Sequence, residues 1–235
     1  MDLAHLISLV NTYFRAIYDG TKDIDDRRRM ASVALDNLLS LSIIFFRDEA
    51  IEYSKKRDEE INDKMEKIQQ KVFDFLNTIV PIDWTIKKTS SFSSKTHLSN
   101  ESDIDFTILI HNMTDFDVAI ARFLFKANGF TEQGEECAGK PDHYYVFSKI
   151  IDGIEIELKV RDDIHCKRVM LVHQYMDNNF DERMKPFVTY LKKLLKGTPA
   201  YSQFKYIVFE NALHMTGWKG ELFGSHIRDG YSITN

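Results

Sequence analysis

At 235 residues the chain is long enough to bury a substantial core, as one compact domain or two small ones. Apolar residues make up 43% and charged residues 29%, which excludes a disordered or fibrous chain and fits an ordinary globular one. The net charge of -5 excludes a global basic field for holding nucleic acid, leaving room only for a local basic patch.

Cys137 and Cys166 have no metal-type spacing, so reduced thiols in a cytoplasmic protein are the expectation. Asp2 and His5 interrupt the first apolar residues, unlike a secretory leader. The longest apolar run, Leu38–Phe46, contains Ser40 and Ser42. It falls short of the ~20 residues a membrane span needs, so no membrane association is expected.

In chain order, Leu3, Leu6, Ile7, Val10, Phe14 and Ile17 follow a helical period that ends at Asp19-Gly20. A second helix is predicted from about Asp26 to Ala50. It is apolar nearly all round between Leu38 and Phe46, which suits the centre of a helical part or an interface with a partner or second copy. The charge run Lys55–Glu60 reads as a solvated face or turn. A third helix is predicted from about Arg57 to Val80, with Ile61, Met65, Ile68, Val72, Leu76 and Ile79 as its stripe and Pro81 as its stop. Short strands are predicted at Trp84–Lys87 and Phe106–His111. A helix capped by Thr114 or Asp115 closes at Asn128-Gly129. Tyr144–Ile150 and Ile154–Val160 flank Asp152-Gly153, a strong hairpin signal. Helices return at about His165–Met176, Glu182–Lys196 and Tyr201–Met215, and the tail Trp218–Asn235 is irregular. The pattern predicts an α+β fold: one mixed sheet flanked by helices, with helical parts at both ends. The predicted divisions are an N-terminal helical region (1–80), an α/β core (81–162) and a C-terminal helical region (163–235).

The chemistry concentrates in Thr89–Ile110, TSSFSSKTHLSNESDIDFTILI. Asp103 and Asp105, spaced i and i+2 on a strand, share one face while Ile104 takes the other. Like charges that close need an offset, and a divalent cation with oxygen ligands is the usual one. On the predicted strand Ile154–Val160 the acids Glu155 and Glu157 lie in phase with Lys159, opposite an apolar face. Either acid could complete a trio holding Mg²⁺ or Mn²⁺ ions that orient a nucleoside triphosphate. Both could equally be the wet face of an edge strand. The loop Ser90–Thr96 offers backbone N–H groups and hydroxyls for phosphate oxygens, and Lys87, Lys88 and Lys95 add positive charge. Arg168 and His173 fit the spacing of an Arg/His catalytic pair only as common chance spacings do. The histidines show no zinc-ligand pattern. His143, Tyr144 and Tyr145 read as hairpin packing before they read as a base-stacking site.

The stretch SSFSSKTHLSNESDIDF resembles the signature of the DNA polymerase β-like nucleotidyltransferase superfamily: a Gly-Ser pair, a spacer, Asp-h-Asp-h, and a third acid on a later strand. Ser90-Ser91 take the place of Gly-Ser, and Ser94-Lys95-Thr96 resemble the Arg-Gly-Thr often found there. Asp152–Leu158 resembles the turn and strand bearing the third acid, with Glu157 the better match and Glu155 the second. In layout the chain is similar to the oligoadenylate-synthase, poly(A) polymerase and second-messenger branch. Pro186–Lys196 resembles the helix that brings a lysine, here Lys192, to the triphosphate. The resemblance implies an enzyme that transfers NMP from an NTP, with ATP the first candidate, to a hydroxyl with release of pyrophosphate. It implies catalytic and metal-holding roles for Asp103, Asp105 and Glu157, and nucleotide contacts from Ser90, Ser91, Lys95, Thr96 and Lys192. The acceptor, whether RNA, nucleotide, small molecule or protein, is left open. Two alternatives stand beside it. Ile154–Arg161 followed by a His-bearing helix resembles RelA/SpoT-type pyrophosphotransferases, and a degenerate member of the fold could serve as a binding or scaffold subunit.

Overall fold

A computed structural model describes residues 1–20, 23–89, 96–98, 103–136, 144–162, 171–176, 178–180 and 183–218. Two compact units divide the chain: residues 57–173 form one, and residues 1–56 with 174–235 form the other.

In the helical unit, α1 (Leu3–Asp19) is capped by the Asp2 carboxylate and buries Leu6, Val10, Phe14 and Ile17, as their spacing requires. α2 (Ile24–Ile79) is one 56-residue element, where two helices parted near Ala50 were expected. Residues 21–80 contain neither Gly nor Pro, so nothing in the Lys55–Glu60 run breaks the ladder. The discontinuity lies instead at Phe46, whose φ of -137° and ψ of 23° are non-helical. The first stretch of α2 buries Leu35, Leu38 and Leu39 but leaves Ile43, Ile44 and Phe45 exposed. By length and composition alone Ile24–Glu59 is apolar enough to cross a membrane, with 33% of its most apolar window buried. The expectation that α2 is too short for that took account of Leu38–Phe46 only. Helix α4 (Lys185–Leu195) starts with a proline in its first turn, and α5 (Pro199–Met215) does the same. Glu210 of α5 is fully buried. It accepts a hydrogen bond from the Tyr18 hydroxyl at 3.0 Å, and the Arg28 Nε lies 3.9 Å from its other oxygen. Ser32 donates to the Asn211 side chain. These contacts tie α1 and the start of α2 to α5 through polar groups that burial obliges to find partners.

The other unit is built on a five-stranded sheet ordered β1-β2-β5-β4-β3. Its strands are β1 (Thr85–Lys88), β2 (Ile104–Leu109), β3 (Thr131–Glu136), β4 (Tyr144–Ile151) and β5 (Ile154–Arg161). Among the described residues only β2 and β5 pair in parallel, which requires a crossover connection between them. Helix α3 (Asp115–Ala127) begins that crossover, opened by a reciprocal cap between Thr114 and Asp117. β3 was not expected. Its sequence, TEQGEE, has no apolar alternation because it is an edge strand with a bulge between Glu132 and Gly134. Arg122 and Lys126 of α3 anchor it through Glu132.

One face of the sheet is the core. Ile86, Ile104, Phe106, Ile108, Phe147, Ile156, Leu158 and Val160 pack with Met65, Ile68, Val72 and Leu76 of α2 and Val118, Ala121 and Phe125 of α3. Period-2 alternation sends the intervening residues of β2 and β5 to the opposite face. Phe106 is completely buried. Phe106→Ala should lower the free energy of urea unfolding by roughly 3–5 kcal/mol, and a loss under ~1 kcal/mol would contradict this packing.

Candidate metal centre

The parallel register sets Asp105 of β2 opposite Glu157 of β5. Asp103 precedes β2 by one residue. Ligand oxygens of Asp103, Asp105 and Glu157 all lie within 4.8 Å of one another. The intervening residues Ile104, Ile156 and Leu158 are 0% exposed, so the core holds both strands that present the acids. Glu155 is exposed and lies outside this trio, whereas Glu157 lies within it.

Each pair of charges at such a separation repels by roughly 3–4 kcal/mol at an effective dielectric of about 20. Lys159 offsets part of it. Its Nζ donates to Asp105 Oδ1 at 2.5 Å and lies 3.0 Å from Glu157 Oε2. Burial alone would push the Lys159 ammonium down, yet the two carboxylates hold it well above the ordinary lysine range. Burial likewise works against ionised Asp105, but the Lys159 ammonium, with a hydrogen bond to Glu157, keeps its carboxyl below the usual aspartate range. One cation does not serve both acids equally. Burial, with the charges of Asp105 and Asp103, pushes Glu157 up despite Lys159. Sequence reading placed Lys159 on this face without giving it a part in the site. The signal was its i+2 spacing from Glu157.

The surroundings are polar and ordered. Thr107, opposite Lys159 in register, shares a 2.9 Å hydroxyl hydrogen bond with Thr89, and the Thr89 N–H donates to the Asp105 carbonyl. Ser148, opposite Glu157 on β4, accepts from the Gln133 amide at 2.7 Å. The Arg161 guanidinium stacks 4.0 Å above the Tyr144 ring. Three carboxylates form an all-oxygen donor set, which suits hard divalent cations such as Mg²⁺ or Mn²⁺.

Of the expected phosphate-binding residues, Ser90, Ser91 and Lys95 lie outside the described residues. Thr96 is fully buried. Lys192 is on α4 in the helical unit, where it is buried with Lys193 lying over the Tyr53 and Tyr190 rings one residue on. Arg168 and His143 lie outside the described residues.

A structure of the Cid1 poly(U) polymerase with Mg and 3′-dATP bound matches 69% of this chain and 52% of its own, with a TM-score of 0.52 at 19% identity. The chain has the DNA polymerase β-like nucleotidyltransferase fold. A second Cid1 structure, described for its RNA terminal uridylyl transferase activity, has a TM-score of 0.47 at 19% identity over 64% of this chain and 47% of that one. The GLD-2/RNP-8 complex has a TM-score of 0.47 at 15% identity over 68% and 63%. This chain spans about half the length of the Cid1 chain that it matches. No protein-family model and no curated protein matches the sequence. In this fold Asp105 and Glu157 lie on the parallel pair β2 and β5, and Asp103 immediately precedes β2.

The opposite shifts of the two acids give opposite pH behaviour. The stabilising contribution of Asp105 is full above the ordinary aspartate value and is lost as pH falls through its depressed folded value. The ionisation penalty of Glu157 grows as pH rises above the ordinary glutamate value and is complete above its raised folded value. In chelator at neutral pH, Asp105→Asn should therefore cost about 1–3 kcal/mol in urea unfolding, whereas Glu157→Gln should cost nothing or stabilise. The reverse order would refute this charge assignment.

Proposed function

We propose that the protein is a nucleotidyltransferase that moves NMP from an NTP, ATP in the first instance, to a hydroxyl acceptor and releases pyrophosphate. The observation that carries the reading is the convergence of Asp103, Asp105 and Glu157 on the central strands of this fold. Mg²⁺ or Mn²⁺, held by these three acids, would supply Lewis-acid screening of the triphosphate. The Cid1 structure with Mg and 3′-dATP supports that ligand class.

The remaining roles belong to the chain. Asp105 and Asp103 are rigidly placed by β2. Glu157 is assigned, beside its metal-holding role, to help take the proton of the attacking hydroxyl. Ser90, Ser91, Lys95 and Thr96 are assigned to the phosphates. Lys192 is assigned to the triphosphate. The acceptor is proposed to be a hydroxyl of RNA, a nucleotide, a small molecule or a protein; the acidic chain weighs against a long nucleic acid unless a local basic patch is present.

Labelled NTPs with Mg²⁺ or Mn²⁺, incubated with and without RNA, test the reaction. Release of pyrophosphate is expected; release of AMP would instead indicate pyrophosphoryl transfer. The Asp103→Ala/Asp105→Ala double variant should lower turnover by about a thousandfold or more, the scale of losing several kcal/mol of charge stabilisation. Turnover equal to wild type would overturn the assignment.

A second reading, a catalytically degenerate binding subunit, is favoured by one observation: an ammonium already bridges two of the three acids. Calorimetry separates it from the first reading, because a degenerate subunit shows no Mg²⁺-dependent NTP binding.

A further inference from the structure

Lys159 occupies the place a divalent cation needs. Its Nζ contacts Asp105 Oδ1 and Glu157 Oε2 at 2.5 and 3.0 Å, two acids of the trio whose ligand oxygens converge within 4.8 Å. A bound Mg²⁺ would take such oxygens at about 2.0–2.1 Å and demand near-octahedral geometry around them. An ammonium between the same two carboxylates and a dication beside it would repel each other in a part of the molecule that screens charge poorly. The two cations therefore exclude one another.

The fold leaves the lysine somewhere to go. Lys159 lies one step along β5 from Glu157 on the same face, opposite Thr107, whose hydroxyl is taken up by Thr89. The Lys159 side chain is 22% exposed, so its long, flexible stem reaches solvent without any movement of the strand.

We propose that Lys159 is a built-in counter-ion of the acidic trio that exchanges with the divalent cation, and that it thereby sets the metal affinity of the nucleotide-free protein. In the metal-free chain it holds Asp105 and Glu157 together against their repulsion. When a dication enters, the ammonium swings out toward solvent. This inference rests on the metal-binding role given to the trio under the proposed function. It makes Lys159 a positioning residue, with an effect opposite in sign to that of a ligand: removing it strengthens metal binding.

The test is Mn²⁺ titration of the full chain without nucleotide, with free Mn²⁺ followed by electron paramagnetic resonance. Wild type, Lys159→Met, Lys159→Arg and Asp105→Asn are compared. Lys159→Met keeps the apolar stem and removes the charge, and it should bind Mn²⁺ about tenfold more tightly than wild type. Lys159→Arg keeps the charge and should stay near wild type. Lys159→Met should also melt at a lower temperature in chelator and gain more from added Mn²⁺ than wild type does, which a loss of packing alone would not produce. If Lys159→Met fails to fold, Lys159→Gln is scored in its place after circular dichroism confirms native helix content. Mn²⁺ binding that Asp105→Asn abolishes but that is equal or weaker in Lys159→Met overturns the exchange and leaves the metal site standing. Mn²⁺ binding by none of the proteins, or binding that Asp105→Asn leaves intact, overturns the metal site and the exchange with it.

Discussion

Everything at the candidate site depends on the parallel pairing of β2 with β5. That register puts Asp105 against Glu157 and Thr107 against Lys159. The same alternation turns Ile104, Phe106, Ile156 and Leu158 inward, each fully buried. Acids that repel one another are thus carried on strands that the core does not allow to separate. Burying one large apolar side chain is worth about 1.5–3 kcal/mol. Four of them oppose a residual repulsion that Lys159 has already reduced, so the sheet can present three carboxylates without a metal to assemble them. The cost appears instead in Glu157, the acid least well served by the one cation.

The helical unit meets a related difficulty in another way. Glu210 and Arg28 are each no more than 2% exposed, and Tyr18 donates its hydroxyl to the same carboxylate. A buried charge needs partners wherever it sits. Here all three come from helices packed by apolar stripes, and the contacts tie α1 and the start of α2 to α5. The acids of the sheet unit differ in being partly accessible, and two of the three share the Lys159 ammonium. A structural ion pair approaches charge balance; an acidic excess on such a face is the arrangement that a dication, exchanging with the lysine, would balance better.

Much of this was legible in the residues. Asp-Ile-Asp before an apolar strand, and a hairpin announced by Asp152-Gly153, are local signals, and both elements fall where their patterns place them. What escaped was set by context. The strand TEQGEE lies at the sheet edge with a bulge and has no alternation, and Arg122 and Lys126 of the preceding helix hold its Glu132. The passage from one compact unit to the other at residue 57 falls inside α2, where composition changes little. The pairing of Lys159 with Asp105 joins residues 54 positions apart, and no periodicity along one strand reports it.

The placement of Glu155 and Glu157 shows how strand register reaches into chemistry. Asp152 and Gly153 both adopt positive φ, 52° and 83°, the conformation of a two-residue turn that suits Asp-Gly. That turn pairs Ile151 with Ile154 and fixes the whole β4–β5 register, so that Ser148 meets Glu157 and Ile150 meets Glu155. The separate parallel pairing of β5 with β2 then puts Glu157, and not Glu155, opposite Asp105. A slip of one residue would turn Glu157 into the core and bring Leu158 to the acidic face. A slip of two would restore the faces but set Glu155 or Lys159 opposite Asp105. The core excludes the first slip outright. The second is opposed by the buried pairs that the observed β2–β5 register matches, Ile104 with Ile156, Phe106 with Leu158 and Ile108 with Val160. The acid opposite Asp105 is therefore a consequence of the core packing that pins β2 against β5.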